Sequence, residues 1–361
     1  MLDIKKQLSK LYSSSVLGSL SLTGAWVAIL SARGYSLVEI GIAETVFHIT
    51  SLIFEIPSGV LADVFGRKKM LIVSTLMRMI GNIVMILSDG LFTVCMSIAF
   101  MALSYNFSSG TGDALAYDSL KLAGQENGFE KFSSNQLIIY RLCSGISTLC
   151  AGFAIVIGHK LAYGTDLVTG AVQILLLSAL CEIYAETTSG ESVILRLFDC
   201  FKESLAFLKN ECRAVGIMLV NSRVGAVDVL LLFFLQAKLP EKGIPEWGLG
   251  IALLFMEMGG IVGSKLILKA PKAGYRCIFA ISSLLVLTGF LAEHSAYYGI
   301  MALGGFIAAV GDDALQVRTN ALLQDMFPSE QRATLTSLES FTFSVIMIVL
   351  SPLAGFAFTY W

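Results

Sequence analysis

Ionisable side chains stand inside stretches of this chain that are otherwise apolar, among them Glu44, Asp113, Arg141, Arg223, Asp228, Glu257 and Asp312. A charge in hydrocarbon is costly unless it has a partner or a watery cavity, so such residues mark function by default. A carboxylate at that depth is expensive only while charged and unpaired, which suits it to reversible proton binding. Arg223, Asp228, Glu257 and Asp312 fall near the middle of their apolar runs, and Glu44 stands with His48 in an earlier one. Asp113 and Arg141 lie at similar depth on neighbouring runs, where a structural ion pair and a gating role are both open. For every one of these residues, an internally neutralised pair is the competing reading.

Other chemistries find no support. His48, His159 and His294 are too scattered for a metal site. No nucleophile–base pattern and no Gly-x-x-x-x-Gly-Lys-Ser/Thr loop is present, so neither an enzyme nor a nucleotide-driven machine is expected, and no cofactor. The seven cysteines contain no Cys-x-x-Cys pair and read as small core residues. A net charge of −2 gives no basic face for nucleic acid.

The elements that must position these residues are membrane helices. Hydrophobic residues make up 55% of the 361 and charged residues 14%, far from the average of soluble proteins. On a template of roughly 20 mostly apolar residues per span, eleven are expected: about 12–32, 37–60, 69–88, 91–117, 135–157, 167–185, 213–236, 247–268, 275–293, 296–323 and 333–357. With the N-terminus in the cytoplasm, Lys5, Lys6, Lys10, Arg67, Lys68, Lys69, Lys121, Lys131 and most later basic residues fall on that side. Only Arg33, Lys160, Lys238 and Lys242 fall outside. Between the sixth and seventh spans, Val193, Leu197, Phe201, Leu205 and Leu208 recur at helical spacing among charges, so 186–212 reads as an amphipathic linker on the cytoplasmic surface. It divides a six-helix bundle, 1–185, from a five-helix bundle, 213–361.

One stretch between spans two and three is more specific than hydropathy: Gly59-Val-Leu-Ala-Asp63-Val-Phe-Gly66-Arg67-Lys68-Lys69. Gly59 and Gly66 are expected to supply the conformational freedom of the turn, and the basic cluster holds the loop on the cytoplasmic side. This loop, with Phe54-Glu55-Ile56-Pro57-Ser58 before it, resembles the signature of major facilitator superfamily transporters. The resemblance implies two pseudo-symmetric helical bundles, with spans one, four, seven and ten lining a central cavity. It implies that Asp118, at the end of span four, partners Arg67, and that Asp63 faces the start of span eleven near Arg332. Gly59, Asp63, Gly66, Arg67, Lys68 and Asp118 would then be a gating motif that binds no substrate.

The family usually has twelve spans, so a twelfth helix is expected to be missing after Trp361, leaving that terminus external with Tyr360 and Trp361 at the interface. The expected function is secondary transport of a small molecule by alternating access in the plasma membrane, as a monomer, with proton-coupled efflux as the first reading. Span five has no Gly-Pro step and span four no basic residue in Met101-Ala-Leu-Ser-Tyr-Asn106, which departs from the family's proton-exchanging exporters. A nutrient or metabolite symporter and a truncated, non-transporting membrane protein are the alternatives.

Overall fold

The structure is a computed structural model that describes residues 3–183, 202, 211–326 and 332–360. The expected linker helix therefore lies outside the described residues, apart from Lys202, Glu211 and Cys212. The described chain is helical throughout: α1 (Ile4–Ser19), α2 (Trp26–Ala32), α3 (Leu37–Phe65), α4 (Arg67–Ile86), α5 (Leu91–Ser108), α6 (Thr111–Leu122), α7 (Phe129–Leu149), α8 (Ala151–Ile157), α9 (His159–Ser178), α10 (Cys212–Glu241), α11 (Glu246–Leu268), α12 (Tyr275–Ala292), α13 (Tyr298–Met326) and α14 (Arg332–Tyr360). Among these residues nine helices are long and apolar enough to cross a bilayer, and α7 with α8 makes a tenth span, bent by 50°.

Three expected spans are interrupted, a correction to the continuous runs read from hydropathy. The first breaks between α1 and α2, the fourth at Gly110 (φ +68°) between α5 and α6, and the fifth at Cys150. A break inside a membrane survives only where the freed backbone groups find other partners. At the first break they do: Arg78 on α4 donates to the Gly18 carbonyl at 2.9 Å, and the Ser21 amide donates to Ser147 Oγ at 3.0 Å. Ser21 and Thr23 hydroxyls both donate to Asp166 on α9, each at 2.6 Å. Asp166 is 5% exposed, and Arg78 stands close enough to interact with its charge. Arg78 also donates to Gln173, whose amide in turn holds the Ser14 carbonyl at 3.0 Å.

The described residues fall into two compact units. The first takes Met1–Gly24, Ile49–Ser147 and Ile157–Glu203; the second takes Ala25–His48, Thr148–Val156 and Ser204–Trp361. These units cut across the sequence halves because α2, the first turns of α3 and α8 pack with the later helices. Within the second unit Trp26 meets Phe233 edge-on at 5.8 Å, and Gly41, Gly152, Gly250 and Gly355 each let a neighbouring helix approach so closely that a Cβ would strike its backbone. Such small-residue contacts are how membrane helices gain packing, since lipid supplies no hydrophobic drive between them. The cysteines depart from expectation: Cys143 is buried, but Cys181, Cys212 and Cys277 are exposed.

Candidate functional site

The signature loop turns at one glycine. Helix α3 runs through Pro57 and Gly59 to Phe65, so Gly59 is helical and makes no turn; a Cβ there would meet nothing within 4 Å. Gly66 alone has φ +102° and forms the N-cap of α4. The Arg67 guanidinium pairs with Asp118 on α6 and also donates to the Ala114 carbonyl at 2.8 Å. The amides of Lys68 and Lys69, at the start of α4, donate to the two oxygens of Glu182 at 3.0 and 3.2 Å. A carboxylate at a helix N-terminus answers both the orphan amides and the dipole. Lys68 Nζ closes the arrangement on the Ser178 carbonyl at 2.7 Å. The side chain of Asp63, with its expected contact near Arg332, lies outside what the structure describes.

The mid-membrane carboxylates gather in the second unit. Asp228 on α10 is 4% exposed, and its Oδ1 has no hydrogen-bond partner among the described residues. Asp312 on α13 lies against the same face: a Cβ added at Gly225, one turn before Asp228, would sit 3.3 Å from Asp312 Oδ1. Asp313 points the other way, against Gly260 of α11, though its charge is still felt at Asp228. Absence of a side chain at Gly225 and Gly260 is therefore what admits two carboxylates to the middle of this helix group.

Elsewhere in the second unit, Glu44 is buried and bonded through His48 Nε2 at 3.2 Å, while His48 Nδ1 meets Ser344 on α14 at 3.2 Å. Arg223 and Glu257 do not join the Asp228–Asp312 group. Arg223 is exposed along an apolar groove with Val220, Val227, Phe279 and Phe290, and Glu257 is exposed and accepts from Thr148 at 3.0 Å. Their helices carry them to mid-membrane depth but present them on other faces. In the first unit, Asp113 and Arg141 are both exposed and form no ion pair with one another; Asp113 instead lines a polar cavity with Arg78. Asn106 is spent on packing, exchanging hydrogen bonds of 2.8 and 2.7 Å with Ser51. No group of acids, histidines and cysteines able to hold a metal occurs among the described residues.

A family profile described as the Major Facilitator Superfamily matches residues 11–125, the stretch that contains the signature loop and its Asp118 partner. An uncharacterized MFS-type transporter of Bacillus subtilis (strain 168), YxaM, is 24% identical over 347 residues, covering 92% of this chain and 84% of that protein. The profile over the first third of the chain and this relative over nearly all of it together support a transporter of the major facilitator type. It is a multi-pass membrane transporter of that type, acting on small molecules, and not an enzyme. Solved facilitators share its fold. The nucleoside transporter NupG superposes with TM-score 0.76 at 16% identity, covering all of this chain and 92% of that one. The peptide transporter POT in complex with alafosfalin gives 0.72 at 16%, over 97% and 88%. A bacterial homologue of the human lysosomal transporter Spinster gives 0.69 at 13%, over 97% and 80%.

Sequence reasoning missed two residues on which these contacts depend, Glu182 and Asp166. Glu182 carries a faint signal, an acid at the end of span six on the side where the basic cluster falls. Asp166 stands just before the expected span six, 167–185, and so reads as a loop residue. The Glu182 arrangement makes Gly66 exacting. Gly66→Ala would place a Cβ 2.7 Å from the Glu182 carboxylate at a φ that side chains rarely adopt. It is expected to cost about 1–3 kcal/mol, read as a lower midpoint in thermal unfolding of the detergent-solubilised protein. Gly59→Ala, with open space around it, is the control and should not lose stability.

Proposed function

We propose that this transporter is a proton-coupled secondary carrier in which Asp228 and Asp312 hold the coupling proton. One observation carries the reading: a carboxylate 4% exposed, with an oxygen lacking any described hydrogen-bond partner, beside a second carboxylate in the middle of a span. Two negative charges at that depth are mutually repulsive and poorly solvated, so a shared proton relieves both costs. Its uptake or release can then be tied to which side of the membrane is open. The halves 1–185 and 213–361 would rock about the site, joined by 186–212, with the signature loop as a gate. The basic bias puts the N-terminus and that loop in the cytoplasm of a cell whose plasma membrane holds the protein as a monomer.

Export of an amphiphilic compound is the first reading of direction. A second reading, proton symport of a polar metabolite, is favoured by the polar cavity beside Asp113. The test is purified protein in liposomes with an entrapped pH indicator, challenged with solute panels under a pH gradient of either sign. Solute-dependent proton flux should be present in the wild type and fall at least tenfold in Asp228→Asn and Asp312→Asn. Wild-type flux and pH dependence in both variants would overturn the assignment, and the sign of coupling separates export from symport.

A further inference from the structure

A cavity of about 320 Å³ lies wholly within the first unit, where α1, α4, α5, α6, α7 and α9 meet beside the break in span four. That volume falls at the lower end of the range for small-molecule sites. Its walls are polar, and several of the strongest hydrogen-bond donors on them are already used by the protein. Arg78 donates to the Gly18 carbonyl and Gln173. The Gln173 amide donates to the Ser14 carbonyl and hydroxyl, and the Ser74 hydroxyl donates to the Ser104 carbonyl at 2.8 Å. Two acceptors remain unspent. Gln136 Oε1 is buried with no hydrogen-bond partner. The Asp113 carboxylate lines the same cavity and accepts no hydrogen bond from any described residue.

A buried acceptor left unsatisfied costs about 1–3 kcal/mol, and a cavity that holds one, Gln136 Oε1, together with the unbonded Asp113 carboxylate at its exposed edge is complementary to a ligand that brings donors and positive charge. Arg78 forms no ion pair with Asp113: its guanidinium is bonded to the Gly18 carbonyl and Gln173, and its charge interacts with Asp166. We infer that this cavity is a binding site for a small, hydroxyl-bearing organic ammonium ion, its ammonium group on Asp113 and a donor on Gln136. Hydroxyls of the ligand then meet the serine and threonine wall, while Leu11 and Leu71 take its carbon skeleton. The site goes beyond the proton-coupling reading and uses none of its residues.

Binding is measured on the purified, detergent-solubilised protein with no gradient, so failure here leaves the proton assignment untouched, and the reverse. Isothermal titration with glucosamine, at a pH where its amine is protonated, is compared with glucose and glucuronate, which keep the pyranose ring and replace the ammonium by a hydroxyl or the charge by its opposite. Saturable binding of glucosamine is expected, at least tenfold tighter than either analogue. Asp113→Asn should erase that tenfold preference. Gln136→Leu should weaken glucosamine severalfold while leaving its preference over glucose intact. Asp113 is exposed and unbonded, so its variant should fold; an unchanged thermal midpoint verifies this. Equal binding of glucosamine and glucose, wild-type affinity in Asp113→Asn, or no saturable binding of any of the three would each overturn the inference.

Discussion

Replacing Asp166 by alanine is expected to destabilise the transporter by about 3–5 kcal/mol, since hydrogen bonds to a charged group are each worth about 1.5–3 kcal/mol. Two such bonds, from Ser21 and Thr23, end on this one carboxylate at 2.6 Å. The residue is 5% exposed and its charge interacts with that of Arg78, so its loss also removes a favourable interaction from that guanidinium. The damage would spread along the chain of contacts, because Arg78 supports the Gly18 carbonyl at the broken first span and Gln173 on α9. In thermal unfolding of the purified protein, followed by tryptophan fluorescence, the midpoint should fall by roughly 6–10 °C at about 2 °C per kcal/mol. Asp166→Asn keeps the acceptor and the shape and should lose less. A midpoint for Asp166→Ala within about 2 °C of wild type would show that the break in span one is held by something else.

That network was not legible in the sequence, and the reason is physical. Hydropathy registers the average character of a run, and Gly18, Ser19, Ser21, Thr23 and Gly24 are small enough to leave residues 12–32 reading as a span. Whether such a run stays helical depends on what neighbours offer the freed backbone groups, here Arg78, Ser147 and Asp166 from three other helices. The signature loop was legible because its demands are local: a positive φ at Gly66 and a cationic residue next to it. Even there Gly59 was misread as a turn, since a glycine inside a helix and one at a bend look alike in one dimension. Depth along a span was also legible, but the face was not. Asp228 and Asp312 meet, whereas Arg223 on the same helix as Asp228 turns to an apolar groove, and equal depth did not bring Asp113 to Arg141.

Gly259 and Gly263 stand at the four-residue spacing that lets membrane helices approach closely, and the structure supplies the partner: a Cβ at Gly263 would lie 2.9 Å from the Val310 Cα, and one at Gly259 3.1 Å from the Phe306 Cα. Those obstacles are backbone of α13, which cannot swing aside as a side chain can. On its other side α13 is held by α12, where a Cβ at Gly289 would come 2.6 Å from the Gly304 carbonyl oxygen. With no room to retreat, α13 must shift as a whole, carrying Asp312 and Asp313 away from Gly225 and Gly260. Overpacking of this kind costs about 1–3 kcal/mol per site, so Gly259→Ala with Gly263→Ala is expected to lose about 2–6 kcal/mol if the two add. Gly216→Ala on α10 is the opposite case, a helical glycine with nothing within 4 Å of the added Cβ. It should gain about 0.5–1 kcal/mol, since alanine holds a helix better than glycine. The comparison is therefore one of sign: thermal midpoints measured side by side should fall for the double variant and rise or hold for Gly216→Ala. Movement of both in the same direction would mean that α11 and α13 do not approach backbone to backbone, and the carboxylate geometry that depends on them would fall with that contact.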